Sequence, residues 1–449
     1  MNVPPSIPLA PGALPVLGHI GPLLRDPWAF LNGLPAHGQL VRIRVGPTTA
    51  VMVCDPELTR EVMLDDRTFD KGGPFYDRAR ESLSNGLATC PHHDHRRQRR
   101  LVQPAFHRAR LPGYARVMAA QIAARTRDWH DGQILDVLAE TDDFAMKTLA
   151  ATMFSDRLPP AELRQIARDV ATVDKRTFWR MVSPVFGLPT PGNLRYRGAL
   201  TRIREVTDRL VAEGRASGTD SGDLLSAMLA AHDPEDAGRG LSDSEIHDQV
   251  MTFIVAGVGT MGATVAWALY LVGTHPDIEE RLHAEIDAVL GGQPVSYDDL
   301  PRLELTGRII TETLRVYSPA WLLTRAATCD TRLADHAIPA GTVIAMSPYL
   351  LHRRGDLFDR PDEFDPDRWL PERAAAVPRG AYVPFVVGAR QCIGNQFGSA
   401  QAILALAIIA ARWRLQPLPG QRVRPSLAGS VRPRGLRMRA VARGEPAPQ

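Results

Sequence analysis

The stretch FVVGARQCIG, residues 385–394, holds one cysteine, Cys392, between Gly388 and Gly394, with Arg390 two residues before it. Glycines there let the backbone turn sharply and pass close to a flat partner, with no β-carbon in the way. A thiolate presented from such a turn can serve as an axial ligand to haem iron, pushing electron density that favours O–O cleavage. Arg390 brings positive charge, which lowers a neighbouring thiol's pKa or pairs with a carboxylate on a ligand. The plainer alternative is a buried structural cysteine in a Gly-rich turn. His95 and Arg99 lie four apart in HRRQRRLVQPAF (95–106), so a helix puts both donors on one face, suited to a dianionic edge or to a solvated basic surface. Glu312 and Arg315 meet at i, i+3 in ELTGRIITETLRVYSP (304–319), by themselves a common surface pair. In AGVGTM (256–261), Gly257 permits close approach and Thr260 can bond back to a carbonyl and bend its helix, or be an inert helix threonine.

These residues need elements to position them. Ser242 and Glu245 form an S-x-x-E capping box that opens a long helix ending near Gly273, before Pro276. Its span 250–273 carries no charged residue and is long enough to cross a bilayer, yet it is studded with Gly and Thr. A helix apolar all round is equally the central helix of a large core, and that is the reading adopted. After the cysteine, NQFGSAQAILALAIIAARWR (395–414) reads as a helix whose N-terminal dipole stabilises a thiolate. PDIEERLHAEIDAVLGG (276–292) is an amphipathic helix stopped by glycines. LVRIRVGPTTAVMVCD (40–55) reads as two strands around a Gly-Pro turn, followed by a helix over 57–64. Residues 71–94 read as a long irregular loop, 113–215 as helices with short breaks, and 179–193 as a Pro/Gly-rich break between two of them. AWLLTRAATCD (320–330) reads as a strand, and 425–440 as a closing hairpin with its tip near Ser430 and Val431.

With 44% apolar and 23% charged residues, the composition is that of a soluble globular protein, and a formal charge of only +3 demands no nucleic-acid partner. Lys71, Lys147 and Lys175 are the only lysines among 53 basic residues, a bias of coding rather than phosphate recognition. The four cysteines form no C-x-x-C pair and suit a reducing cytosol. The Pro-rich opening has no basic n-region and no unbroken apolar segment, so no secretory signal is read there.

The complete F-x-x-G-x-R-x-C-x-G spacing at Phe385, Gly388, Arg390, Cys392 and Gly394 resembles the haem-binding loop of the cytochrome P450 family. Four more segments resemble that family's motifs in its order: H-x-x-x-R at His95 and Arg99, AGVGT at 256–260, E-x-x-R at Glu312 and Arg315, and FDPDRW at 364–369. The resemblance implies a mainly α fold with a small β region. It covers 1–449 as one domain, with a Pro-rich entry and β region in 1–70 and a helical haem-binding core in 71–449. It implies Cys392 as the metal ligand of haem b, with His95, Arg99, Arg325 and Arg390 on the propionates. Glu312, Arg315 and Arg368 would form a buried triad that fixes geometry more than it adds stability. Thr260 would assist proton delivery, and Gly259 stands where the family's usual acid would be, which puts the standard proton relay in question. Val255, Ala256, Ala320, Leu322 and Leu323 would line the substrate pocket, and Phe178, Trp179 and Phe186, in the region corresponding to the family's mobile lid, are candidates for substrate contact.

The activity implied is a haem-thiolate monooxygenase. The wording HRRQRR…QPAF and FDPDRWLPERA is similar to bacterial members that oxidise cyclic sesquiterpenes such as pentalenene, with a polyketide or fatty acid as the alternative substrate. A peroxygenase, an isomerase and a non-catalytic haem sensor on the same scaffold are the alternatives in class. No flavin or iron–sulfur segment follows residue 440, so electrons are expected from a separate ferredoxin and ferredoxin reductase, with Arg96, Arg97 and Arg100 steering an acidic partner. Without a membrane anchor, the location expected is the cytoplasm.

Overall fold

The computed structural model describes residues 6–444, apart from 156, 183–186, 237 and 428. The central helix is Asp243–Gly273, and both halves of its capping box form: Ser242 Oγ accepts the Glu245 N–H, while Glu245 accepts the Ser242 N–H. The helices Val137–Phe154, Pro160–Val182, Pro191–Ser217, Glu304–Val316 and Asn395–Arg412 pack around it. That enclosure explains its uninterrupted apolar sequence. It is long and apolar enough to cross a membrane, but the window that qualifies is 72% buried within the protein.

A five-stranded sheet forms the second layer, in the order Leu40–Val45, Thr48–Val53, Val343–Met346, Leu323–Ala327, Phe69–Asp70. The first two strands pair antiparallel with Val45 opposite Thr48, so the Gly46-Pro47 turn falls where the sequence puts it. The Thr48–Val53 and Val343–Met346 strands run parallel, and Leu323–Ala327 then pairs antiparallel with Met346 opposite Leu323. Two apolar groups follow from this layout, a large one around the central helix and a smaller one on the sheet.

Two expectations are corrected. Residues 71–94 are not one irregular loop, because Gly73–Leu83 is a helix that buries Tyr76, Ala79 and Ser82 at helical spacing. Pro74 misleads because it sits in the first turn, where a proline costs no hydrogen bond. The closing hairpin is Arg424–Leu427 with Val431–Arg434, while Arg437–Ala442 leaves it to join Trp413–Pro417 and Ile134–Asp136 in a separate sheet.

Candidate active site

The Cys392 loop is closed by its own backbone. The Cys392 N–H donates to the Phe385 carbonyl at 2.8 Å and the Gln391 N–H to Gly388 at 3.0 Å. Gly388 has φ +76°, and a β-carbon there would meet Leu64 Cδ2 at 3.0 Å, so glycine is required. Val386 holds φ +61°, a conformation that costs a β-branched residue energy and persists only where the surroundings enforce it. Phe385 is half-buried against the large apolar group, and the helix Asn395–Arg412 begins just after Gly394. The Cys392 side chain keeps accessible surface. Burial nonetheless pushes its thiol pKa up, while the Gly394 N–H and the charges of Arg99 and Lys71 pull it down. Accessible yet enclosed is the condition of a group lining an internal cavity. The expected lowering of this pKa by Arg390 and the helix terminus is therefore not met by the protein alone; a cation at the sulfur would reverse the balance.

His95 and Arg99 do share one face of the helix His92–Val102. Arg99 donates to the Gln391 carbonyl, directly onto the cysteine loop. His95 is buried, and its pKa falls to about 3 because of burial and the charges of Arg390, Lys71 and Arg99. Arg325 is 2% exposed on its strand, with Nη1 donating to the Thr324 carbonyl at 3.1 Å and Nε buried without a partner. Lys71 is held well below its ordinary pKa by burial, by Arg325 and by Arg390. Cations pressed together with an unpartnered N–H call for an anion, so these residues fit a group carrying carboxylates beside Cys392. Composition alone makes Lys71 one of three lysines in a coding bias; its place among these cations is new, and its rarity was a usable signal.

Arg390 departs from expectation. Its side chain is fully buried, with Nε 3.0 Å from Asp66 Oδ2, Nη2 2.8 Å from Asp70 Oδ1 and Nη1 donating to the Cys90 carbonyl at 2.8 Å. Two carboxylates of the protein already neutralise it, so it ties the loop down rather than waiting for a ligand carboxylate.

The central helix carries an accessible stripe along an otherwise buried stretch: Ala256 is exposed and Val255, Gly257, Thr260 and Met261 are half-buried. Thr260 Oγ1 donates to the Ala256 carbonyl at 2.8 Å, the back-bond anticipated for it. A β-carbon at Gly257 would meet Leu149 at 3.4 Å, an ordinary contact. Ala320, Leu322 and Leu323 are half-buried at the start of the site strand. The hairpin tip is buried beside them: the Val431 N–H donates to Pro319 and the Val431 carbonyl accepts Trp267 Nε1–H at 3.0 Å. Phe186 and the side chains of Phe178 and Trp179 lie outside the described residues.

Behind the loop, Glu312 and Arg315 are wholly buried and form a two-pronged pair at 2.9 and 2.8 Å. Arg368 Nε reaches Glu312 Oε1 at 3.3 Å, and Trp369 Nε1–H, unforeseen in the sequence, donates to Oε2 at 2.9 Å. The remaining guanidinium donors meet the carbonyls of His352, Pro361, Glu363, Asp359 and Arg360. Arg97 and Arg100, expected as docking charges, are engaged with Glu245, Asp233 and Glu235, and Arg96 remains exposed.

A strained cysteine turn tied to a cluster of desolvated cations is the site of a haem-thiolate protein. A profile of the cytochrome P450 family matches residues 8–438, and the chain belongs to that family of haem-iron monooxygenases. It is 48% identical over 437 residues to the pentalenene oxygenase of Streptomyces avermitilis, covering 97% of each chain. It is 44% identical over 434 residues to the cyclooctatin synthase of Streptomyces melanosporofaciens, covering 96% of this chain and 94% of that one. A crystal structure of the cytochrome P450DA haem domain superposes with a TM-score of 0.88 at 29% identity, covering 98% of both chains. Family members work with redox partner proteins, O2 and an organic substrate.

Proposed function

We propose that this chain, acting as one domain over 1–449, holds haem b on Cys392 and inserts an oxygen atom of O2 into a C–H bond of a cyclic sesquiterpene hydrocarbon similar to pentalenene. The observation that carries the substrate reading is the apolar character of the accessible positions: Val255 and Ala256 on the central helix, Ala320, Leu322 and Leu323 on the strand. Such a wall offers a hydrocarbon shape, with Thr260 as the polar side chain on the same stripe. The likeness to pentalenene oxygenase supports the same class.

The haem supplies the oxygen-activating chemistry. Cys392 would hold its iron through the thiolate sulfur. His95 would offer the propionates a neutral ring N–H, and Arg99, Arg325 and Lys71 N–H groups with charge, which would relieve the crowding of those three cations. Thr260 has committed its hydrogen to Ala256, so toward the cavity it presents lone pairs that accept a hydrogen bond from water and orient the proton supply. Electrons come from a separate ferredoxin and its reductase in the cytoplasm. A cleft of about 830 Å³ bordered by Arg96, Arg99, Arg110 and Gln103 supports docking of an acidic partner there.

The test is titration of the ferric holoenzyme with pentalenene-type hydrocarbons, a fatty acid and a macrolide, reading the spin-state shift. The hydrocarbon should shift wild type, and Leu323→Asp should weaken it at least tenfold by burying an unpaired carboxylate, roughly 2 kcal/mol or more. A response to the fatty acid or macrolide alone overturns the substrate reading. Full-rate turnover on peroxide without electron donors would make the protein a peroxygenase, and binding without product a sensor.

A further inference from the structure

Gly259 contributes no side chain, yet the space beside it is charged. A β-carbon at Gly259 would lie 3.4 Å from Arg432 Nη1 and 3.5 Å from Asp174 Oδ1. Arg432 comes from the C-terminal hairpin and Asp174 from the helix Pro160–Val182, and they pair at 2.7 Å. The other arm of Arg432 holds Asp142, from the helix Val137–Phe154. Asp142 Oδ1 lies where a β-carbon of Gly262 would be, so three elements converge on the two glycines flanking Thr260. Two carboxylates thus share one guanidinium against the central helix, leaving one excess negative charge.

The cluster is asymmetric. Asp142 Oδ1 is buried with no hydrogen-bond partner, although the side chain as a whole keeps 27% of its surface accessible. One end of that carboxyl is therefore sealed against the helix while another part keeps accessible surface. An acceptor in that position carries a desolvation cost that a proton removes. Burial raises the Asp142 pKa to about 6; Arg432 opposes that shift, while Asp174 and Asp136 add to it.

We propose that Asp142, positioned by Arg432 and Asp174, takes the place of the carboxyl absent at Gly259: its carboxyl holds a proton, gives it up at its accessible side to water leading toward Thr260, and takes one up again by the same side. The net change at Asp142 over a cycle is zero. Asp142 and Asp174 act through Thr260, so they are positioning residues for proton supply. The inference rests on the reading of Thr260 given above.

The experiment compares substrate-bound holoenzyme of wild type, Asp142→Asn, Asp174→Asn and the double variant Asp174→Asn/Gly259→Asp. Infrared pH-difference spectra with labelled aspartate should show a buried carboxyl titrating near pH 6 in wild type and not in Asp142→Asn, a readout independent of turnover. Product formed per NAD(P)H should fall on the order of tenfold in both single variants with substrate binding unchanged, less than the roughly 10²–10⁴-fold that general acid catalysis supplies, because Asp142 acts through Thr260. The double variant returns a carboxylate to Arg432 and should recover most of that coupling. A cluster that only latches the hairpin would lower the melting temperature and leave coupling and rescue flat, which overturns the proposal. Should the single variants fail to fold, the infrared titration of wild type decides: no buried carboxyl that takes up a proton above the ordinary aspartate range sinks it. If Thr260→Val keeps full coupling while the carboxyl titrates as stated, the Thr260 reading fails and not the proton site.

Discussion

His352 Nε2 accepts the Val383 N–H at 3.0 Å, and that one bond joins the buried Glu312 triad to the base of the cysteine loop. His352 is fully buried, its carbonyl accepts Arg315 Nη1–H at 2.7 Å, and Val383 precedes Phe385 by two residues. Burial and then the Arg315 charge depress its pKa to about 3, so the ring is neutral and free to accept. A histidine with a lowered folded pKa contributes stability that is complete above its ordinary 6.5 and lost as pH falls toward 3. His352→Gln keeps an acceptor for Val383 and removes the titration. Its melting temperature should therefore fall less steeply between pH 6.5 and 4 than that of wild type. Parallel curves would mean another group governs acid unfolding.

Glu312→Ala leaves Arg315, Arg368 and the Trp369 N–H without their shared acceptor in a dry site. The loss should be roughly 3–5 kcal/mol, with little soluble holoprotein recovered. An unchanged melting temperature would remove the triad from the account of stability.

Cys392→His exchanges an anionic sulfur donor for neutral imidazole. The ferrous–CO spectrum should lose the red-shifted band of thiolate ligation, and hydroxylation should stop. Retention of both would assign the ligand to another cysteine.

Lys71→Met separates two effects of opposite sign. Without haem, removal of a buried cation beside Arg325 and Arg390 should raise the melting temperature. With haem, one charge-assisted hydrogen bond is lost, about 1.5–3 kcal/mol, so haem should dissociate on the order of ten- to a hundredfold more readily. Calorimetry of the apoprotein and haem transfer to an acceptor protein measure the two; a shift of the same sign in both would place Lys71 away from the propionates.

Thr260→Val preserves shape and deletes the hydroxyl. Electrons should divert to peroxide, with product per NAD(P)H reduced several-fold and the substrate-induced spin shift retained. Wild-type coupling would move proton delivery off Thr260.

Local rules made much of this legible. The capping box at Ser242, the glycines after Leu290 and the Gly46-Pro47 turn each specify their own neighbourhood, and all three appear in the structure. The cysteine loop was readable because its residues are contiguous. Asp142, Asp174 and Arg432 were not readable, since nothing in their own segments ties them together and only packing over Gly259 and Gly262 does. Arg390 was misjudged for the same reason: Asp66 and Asp70, which neutralise it, lie far away in sequence. Pro74 hid a helix because a proline's meaning depends on where in the first turn it falls.

Arg99 and Gln391, joined by a hydrogen bond, are 292 positions apart, and Arg390 meets Cys90 across 300. A binding site closed by contacts of that span cannot assemble while the ribosome still holds the C-terminal part of the chain. Loop-closure entropy must be met before those contacts give anything back, which makes the site a late product of folding. Haem can therefore be enclosed at this site only after those distant segments have come together.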